Sequence, residues 1–471
     1  MTEQPDDWRD GLPPSIVDEV QHIRSAFARR EAPPDSDDPG ADGPSSIGVA
    51  RRGDQIDYLY AEGQILVLDQ YLGRVLDILG LPPEEDLRRA DRLPIKPVTA
   101  GTVQLVLPSP AEGESPPAVP DVLATIDRHL GPGVATPDHV LTVAPDVGFC
   151  PATEPEGVYA DIEPFPSVCY RNGGAQALVY VADTGLMREA GSDHPWLSGV
   201  RVADPSADYE DYQPPAGGQP ASPPLIPPYT GHGTFVAGVL RCMAPSADVV
   251  VAKVSLAAGS TLESELVMRL TSALGLAPDI FNVTLACPSR LDLPLIGFRE
   301  WLRQLRDYGG AVCIAPAGNS GMRRPSWPAA FADVVSVGAL GADWRGRASF
   351  SNFGSWVDVY APGRDLINAY TTGTYKCHVS PYANTDRTFY GMAKWSGTSF
   401  STPIVSGLVA ARMSATGENA RAATAALLAR ARAEAVPGVG PVVLPRCRDT
   451  RSCDCSCVCS HCACGDRQRP S

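Results

Sequence analysis

The sequence of 471 residues lacks the features of several large classes of protein. Its formal net charge is −15, so it has no excess of basic side chains to neutralise the phosphates of a nucleic acid. No stretch reaches the roughly 18 apolar residues that a membrane-spanning helix needs. The first residues are acidic and show neither the basic start nor the apolar core of a secretory signal. We therefore expect no nucleic-acid or membrane partner and a cytoplasmic location.

Cysteine is sparse except near the carboxyl end. Seven of the thirteen cysteines lie within 447–464, and the other six are scattered. Scattered cysteines in a long chain are mostly small buried side chains, which suits a reducing compartment. The dense tail has enough thiols to bind zinc or copper, although its spacing is not that of a paired zinc finger. A disordered tail with oxidisable thiols explains the same pattern equally well.

The first third of the chain predicts a small α+β domain. Residues 1–46 contain a short amphipathic helix, with apolar side chains at helical spacing in 15–30, and then an acidic linker. Residues 47–145 contain two βα units closed by a final strand, which indicates a ferredoxin-like sandwich. The predicted elements are strands at Tyr58–Leu68, Thr102–Leu107 and Val140–Val143 and helices at Gln70–Leu79 and Val119–Leu130.

A Pro- and Gly-rich linker at 146–175 leads to a larger domain at 176–436, and the Cys-rich tail occupies 437–471. Apolar runs of strand length alternate with helices in this domain. Because the runs are almost continuously apolar, we expect strands buried on both faces, in an α/β fold with a mostly parallel sheet and helices on each side. The predicted strands are Ala177–Ala182, Val249–Val254, Ile280–Leu285, Ala311–Ala315, Val334–Val337 and Val357–Tyr360, and the predicted helices are Leu262–Leu274, Phe298–Arg306 and 418–435.

Two short motifs follow strands or flank helices early in this domain. Asp183 lies in a Val-Ala-Asp-Thr-Gly segment at a strand end, which by itself is typical of an Asx turn. His232 lies between two glycines, which let neighbouring backbone approach the imidazole closely. A lone histidine there is explained as a buried, hydrogen-bonded side chain, although the surrounding small residues favour a more specific role.

Two more motifs come later in the chain. Asn319 lies in Ala-Gly-Asn-Ser-Gly, where it is either a turn residue or a rigidly held amide donor for an oxyanion. Ser399 opens a predicted helix, as an N-cap or as a hydroxyl in the positive field of a helix N-terminus. We expect Pro403 to lie in the first turn of that helix, where its missing N–H removes no hydrogen bond. All four motifs belong at the carboxyl ends of the strands.

In the order Asp, His, Asn, Ser, these motifs resemble those of the subtilisin-like serine peptidases, and the likeness extends over 177–415. The resemblance implies a serine endopeptidase that forms an acyl-enzyme with the triad Asp183, His232 and Ser399 and an oxyanion donor at Asn319. It further implies substrate contacts at Thr284, Leu285 and Ala286, which match the segment lining the S1 pocket, and at Ala317 and Gly318.

The chain departs from the family pattern in three places. Ala286 stands where the family usually has glycine, so we expect a narrowed S1 pocket and a preference for small side chains before the scissile bond. The segments between Asp183 and His232 and at 366–395 are long; they either restrict substrate entry or reflect neutral loop drift. No clustered Asp and Asn residues indicate a calcium site, so we assign no metal and no cofactor and leave calcium open.

The position of the 47–145 domain resembles that of the family's propeptide. The resemblance implies a zymogen in which the chain's own N-terminal domain is an intramolecular inhibitor, released by cleavage within 146–175. The alternative is a retained structural or partner-binding domain. For the whole chain, a peptidase acting on peptide or protein substrates competes with a dedicated maturation protease for one substrate and with a non-catalytic binding scaffold.

Overall fold

The computed structural model describes most of the chain, in ten stretches. The acidic linker and residues 446–471 of the Cys-rich tail lie outside the described residues, as does part of the 146–175 connection. Within the described stretches, no helix is both long and apolar enough to cross a membrane. The described residues are 8–31, 47–88, 94–108, 117–143, 152–159, 162–167, 173–210, 224–255, 258–378 and 382–445.

The N-terminal part folds as a sandwich of helices on an antiparallel sheet. Its elements are α1 (Pro14–Glu31), β1 (Ile47–Arg52), β2 (Gln55–Leu68), α2 (Leu72–Leu79), α3 (Glu84–Arg88), β3 (Ile95–Thr99), β4 (Thr102–Val106), α4 (Val119–Leu130) and β5 (Ala135–Thr142). From β2 to β5 the order is βαββαβ, and the strands lie in the order β5-β2-β4-β3, which is the ferredoxin-like arrangement. Helices α2 and α4 bury Val75, Leu76, Leu123 and Ile126 against the sheet.

The sequence predicted both principal helices and the long strand β2 but missed β1 and β3 and shortened β5. Strand β5 carries Pro137, Asp138 and His139 in its middle, and polar residues and proline are depleted in strands. These side chains are nevertheless buried, because the second domain supplies their partners. The strand is therefore stabilised by tertiary contacts that no local pattern reveals.

The second domain is built on a seven-stranded parallel sheet with the order β15-β14-β13-β12-β7-β10-β8. All six predicted strands belong to this sheet, and its two-residue edge strand β8 was not predicted. The strands of this domain outside the parallel sheet were not predicted either. The elements are β6 (Glu156–Gly157), β7 (Leu178–Asp183), α5 (Ala190–Asp193), β8 (Arg201–Val202), β9 (Leu225–Ile226), α6 (His232–Met243), β10 (Asp248–Lys253), β11 (Ser260–Leu262), α7 (Glu263–Ala273), β12 (Ile280–Val283), α8 (Ile296–Asp307), β13 (Val312–Pro316), β14 (Val334–Leu340), β15 (Val359–Pro362), β16 (Leu366–Lys376), β17 (Asp386–Trp395), α9 (Thr398–Thr416) and α10 (Ala420–Ala433).

Helices cover both faces of the parallel sheet, as expected for strands that are apolar on both sides. One core contains the buried faces of α6, α9 and α10, with Phe235, Val405 and Leu427 among its members. The other contains those of α7 and α8, with Leu266 and Trp301. Since the sheet is parallel, its strands all end on one side, and the loops that follow them meet there.

The long segment at 366–395 forms an antiparallel hairpin of β16 and β17 rather than an irregular loop. Strands β6 and β9 extend it to a four-stranded sheet. Its buried side includes Tyr375, Phe389 and Trp395, and Trp395 lies edge-on to Phe235 of α6 at a ring-centroid distance of 5.8 Å. The hairpin is thus part of the core of the second domain.

The expectation for Pro403 was wrong. Helix α9 begins at Thr398, so Pro403 is its sixth residue and lies inside the helix. An amide at that position would donate to the carbonyl of Ser399, four residues earlier, and proline has no N–H to do so. The helix therefore lacks the internal hydrogen bond that the Ser399 carbonyl would accept from residue 403.

Candidate active site

Asp183 ends β7, which lies in the middle of the parallel sheet between β10 and β12. Its side chain is fully buried, and hydrogen bonds occupy both carboxylate oxygens. Oδ1 accepts from the Thr184 amide at 2.7 Å and lies 2.7 Å from His232 Nδ1. Oδ2 accepts from the Thr284 hydroxyl at 2.5 Å. A carboxylate only accepts, so Nδ1 of His232 carries the proton and Nε2 is the basic nitrogen.

His232 is the first residue of α6, and the two glycines beside it make the close approach to Asp183 possible. Gly231 has a φ of +85°, a value that glycine adopts without strain. A Cβ on Gly233 would lie only 2.2 Å from the carbonyl oxygen of Gly185. The imidazole packs against Trp395 at 5.5 Å and Phe400 at 5.1 Å between ring centroids, so two apolar rings restrain it.

Ser399 is the second residue of α9 and is fully buried. Its hydroxyl donates to the carbonyl oxygen of Val143, at 3.3 Å. Within the described part of the chain, Nε2 of His232 has no hydrogen-bond partner. The structure thus brings Ser399 and His232 into one site but does not join them by a hydrogen bond, because a segment of the N-terminal part holds the serine hydroxyl.

Asn319 lies in the loop after β13, and its amide is oriented by the start of α9. The backbone N–H and the hydroxyl of Thr398 both donate to Asn319 Oδ1, each at 2.9 Å. The amide of Gly318 donates to the same Thr398 hydroxyl at 3.2 Å. Because Oδ1 of the amide accepts these bonds, Nδ2 is its donor end. The amide group lies next to Thr398, the residue that precedes Ser399 in the chain.

The residues predicted to bind substrate have different surroundings. Ala286 exchanges two backbone hydrogen bonds of 3.0 Å with Thr142, so its backbone binds an extended strand. The Thr284 hydroxyl instead faces Asp183, and Leu285 is buried in the core. Ala317 and Gly318 are buried beside Asn319. No described hydrogen bond joins these last two residues to the N-terminal part.

The resemblance predicts an inhibitory N-terminal domain but does not say which of its segments would lie at the site. In the structure, the segment at the site is the end of β5. Strand β11 pairs antiparallel with β5 of the N-terminal part, and the Val143 amide donates to the Gly259 carbonyl at 3.0 Å. Together with the Thr142–Ala286 pair, these bonds hold the end of β5 between two segments of the second domain. The only signal in the sequence was the apolar run Val140–Val143 directly before the linker.

Among the described residues, no three His, Cys, Asp or Glu side chains are grouped as a metal site would require. The site is instead composed of a buried carboxylate, an imidazole, a helix N-terminal serine and an amide. An α/β protein with these four groups at the carboxyl edge of a parallel sheet has the architecture of a subtilisin-like hydrolase. The chain belongs to the subtilase family, whose family model matches residues 174–440.

Several of the similar proteins are named as proteases, and some of them as serine proteases or proteinases. M-protease of Shouchella clausii (strain KSM-K16) is 32% identical over 189 residues, which are 38% of this chain and 44% of M-protease. Thermitase of Thermoactinomyces vulgaris is 28% identical over 54% of this chain and 80% of its own. The solved structure of the prenylagaramide maturation protease PagA has a TM-score of 0.41 and 24% identity, and covers 55% of this chain and 85% of PagA. The chain spans about half the length of the first curated relatives that it matches.

Proposed function

We propose that this protein is a serine endopeptidase. The observation that carries the proposal is the buried Asp183–His232 pair, 2.7 Å apart, beside a serine at the N-terminus of α9. Membership of the subtilase family and relatives named as proteinases support it. The binding-scaffold alternative is disfavoured because each polar group that peptide hydrolysis requires is present.

In the proposed mechanism, Ser399 Oγ attacks the carbonyl carbon while its proton moves to His232 Nε2. Asp183 keeps the proton on Nδ1 and stabilises the imidazolium that forms. Asn319 and the Ser399 amide donate to the negative oxygen of the tetrahedral intermediate. The imidazolium then protonates the leaving amine, and water hydrolyses the acyl-enzyme through the same base.

Labelling with a serine-directed fluorophosphonate tests this role. We expect the processed protein to be labelled once per chain and the Ser399→Ala variant to remain unlabelled. Ser401→Ala is the matched control, because Ser401 is a buried serine two residues further along the same helix. Equal labelling of Ser399→Ala, or a folded, processed protein that neither reacts nor hydrolyses a peptide library, would support the binding-scaffold alternative.

We also propose that the N-terminal part inhibits the enzyme from within the same chain. The end of β5 is hydrogen-bonded on both sides as an extended substrate would be, and the Val143 carbonyl accepts a hydrogen bond from Ser399. Because a bound substrate needs the same backbone partners, β5 and substrate exclude each other. Release of the N-terminal part is therefore the step that opens the site.

The position of the cut can be narrowed within the linker predicted from the sequence. Residues Glu156–Gly157 pair with β17, and Phe165 forms a bridge with Ile367, so the second half of the connection is bound to the second domain. We propose that cleavage falls between Val143 and Ala152. Intact-mass analysis of full-length wild type and Ser399→Ala tests self-processing; a wild-type chain that stays uncut and fully active contradicts the zymogen.

The preference for a small side chain before the scissile bond remains a proposal that rests on Ala286. Replacing Ala286 by glycine removes the methyl group, and we expect the preference to broaden towards larger side chains. Profiling both proteins with a peptide library measures this. It also distinguishes a general peptidase from a dedicated maturation protease, which would cleave few members of the library. An identical profile for the two proteins would rule out Ala286 as the determinant.

A further inference from the structure

A further polar side chain, Glu210, lies close to the proposed Asp–His pair. Glu210 follows β8 in the segment between Asp183 and His232, and its side chain is 6% exposed. Its amide donates to the carbonyl of Leu186 at 3.0 Å, which places it beside the turn that follows Asp183. At Gly185, in that turn, an added Cβ would lie 3.0 Å from Cγ of Glu210, so the turn and the glutamate are in close contact.

The carboxyl group of Glu210 is tied to the backbone on both sides of His232. Its Oε2 accepts from the Gly231 amide at 2.8 Å. Its other connection is a hydrogen bond with the Thr184 side chain. Oγ1 of Thr184 in turn accepts from the Gly233 amide at 3.0 Å. The amides of the two glycines that flank His232 are thus held by one buried acid, directly at Gly231 and through Thr184 at Gly233.

We propose that Glu210 is a positioning residue, which fixes the imidazole of His232 relative to Asp183 and Ser399 by holding the chain on either side of it. The proposal rests on His232 acting as the general base. The three interactions converge on the first turn of α6, where a small rotation of the backbone would change the direction of Nε2. The Asp183 bond alone leaves such a rotation open, because it restrains the ring at Nδ1 only.

The charges around Glu210 are consistent with a neutral carboxyl group in this role. Burial raises its pKa to about 8, although the hydrogen bonds from Thr184 and Gly231 lower it. The nearby Asp183 adds to the increase, and Lys253 of β10 opposes it. Asp208, two residues before Glu210, pairs with Arg269 of α7, and their side chains are 3.9 Å apart. The Gly231 amide and the Thr184 hydroxyl both donate to the Glu210 carboxyl group. Its ionisation would place a second negative charge beside Asp183, which favours the imidazolium of His232.

The direct test follows the titration of the His232 imidazole by NMR in full-length Ser399→Ala, which needs no catalysis. We expect a second inflection near pH 8 from Glu210, and its loss in Glu210→Gln, which keeps the shape of the side chain but does not ionise. In Glu210→Ala we expect shifted and broadened His232 signals. Glu300→Ala is the matched control, a buried glutamate of α8 that pairs with arginines away from the triad.

Kinetics on the processed enzyme give a second measurement. A misdirected base lowers kcat and leaves substrate binding intact, so we expect Glu210→Ala to lose about 10–100-fold in kcat with little change in KM. Glu210→Gln should recover most of that loss. The proposal is overturned if the His232 titration is unchanged in the folded Glu210→Ala and Glu210→Gln variants. It is also overturned if the two variants lose kcat equally. If the His232 signals respond but the parent hydrolyses nothing, the peptidase proposal fails and the positioning role stands. If Glu210→Ala does not fold, the titration of the Gln variant decides alone.

Discussion

At the scale of single residues, the buried charge of Asp183 is kept in the site by an unusually complete set of hydrogen bonds. A buried carboxylate without partners would be strongly disfavoured. Here the Thr184 amide, the His232 ring and the Thr284 hydroxyl all lie within 2.7 Å of its oxygens. Thr284 is predicted to bind substrate, and its side chain in addition holds the acid through Oδ2.

Thr284→Val removes the hydroxyl and keeps the shape. One bond to a charged group contributes about 1.5–3 kcal/mol, so we expect kcat to fall at least about tenfold while KM changes little. Steady-state kinetics on a peptide substrate measure the effect. Thr416→Val, at an exposed position at the end of α9, is the control. An unchanged kcat for Thr284→Val would show that Asp183 needs no donor on Oδ2.

Gly233→Ala tests the contact between the two turns that carry Asp183 and His232. The new Cβ would lie 2.2 Å from the Gly185 carbonyl oxygen, and backbone on both sides leaves little room for adjustment. We expect a loss of at least about 1–3 kcal/mol in the free energy of unfolding, together with loss of activity. Denaturant unfolding measures the stability. Gly275→Ala, which meets no atom within 4 Å, should be close to neutral.

At the scale of elements, β5 pairs with strands of both domains within one sheet. It pairs with β2 inside the N-terminal part and with β11 of the second domain. Asp138 of β5 also caps α7, because it accepts from the Ser264 amide at 3.0 Å and from the Ser264 hydroxyl at 2.6 Å. The strand whose end lies at the site therefore also connects the two domains.

Val143→Asp should loosen the end of this strand. Val143 is fully buried, and a Cβ on Gly259 would lie 2.9 Å from its side chain, so the pocket is tight and apolar. An unpaired carboxylate there is costly, and we expect the uncut chain to react faster with a fluorophosphonate than the parent does. The rate of labelling is the measurement. Lys96→Asp, at an exposed position of β3, should leave the rate unchanged; equal rates for all three proteins would argue against inhibition by β5.

At the scale of the whole molecule, pH acts on the contact between the two domains. Burial raises the pKa of Asp138 from 3.8 to about 7, and burial likewise raises the pKa of Glu19, which accepts from the Tyr229 hydroxyl, to about 7. The folded state holds these protons more tightly than the separated parts do. The stabilisation is complete at low pH and is lost as the pH rises through about 7. The lowered pKa of His22 acts in the opposite direction on the acid side.

Asp138→Asn should flatten this dependence. In the Ser399→Ala background, Asp138 contributes up to about 1.4 kcal/mol per pH unit to the fall in stability between about pH 4 and about 7. The neutral asparagine contributes no such slope, whereas the other groups titrate in both proteins. Unfolding midpoints at pH 5, 6 and 7 measure the difference. Asp77→Asn, at an exposed position of α2, should keep the parent's slope; parallel curves for Asp138→Asn and the parent would contradict the assignment.

The sequence by itself determined the elements whose pattern is local. The apolar runs predict the parallel strands because a strand buried on both faces has apolar residues at successive positions. The spacing in α4 predicts the helix because a helix buried on one face has apolar residues three or four positions apart. The motifs around Asp183, His232, Asn319 and Ser399 were recognisable for the same reason: each is a short segment with special residues at a strand end or helix start.

Only the tertiary structure decided which groups meet. Val143 and Ser399 are 256 residues apart, and Glu210 reaches the chain around His232 across a segment with no readable pattern. The polar middle of β5 predicts no strand, because its partners lie in another domain. The contacts of Val143 and β5 depend on how two folded units fit together, and the Glu210 contact depends on how the second domain folds. Neither is recorded by a periodicity along the chain.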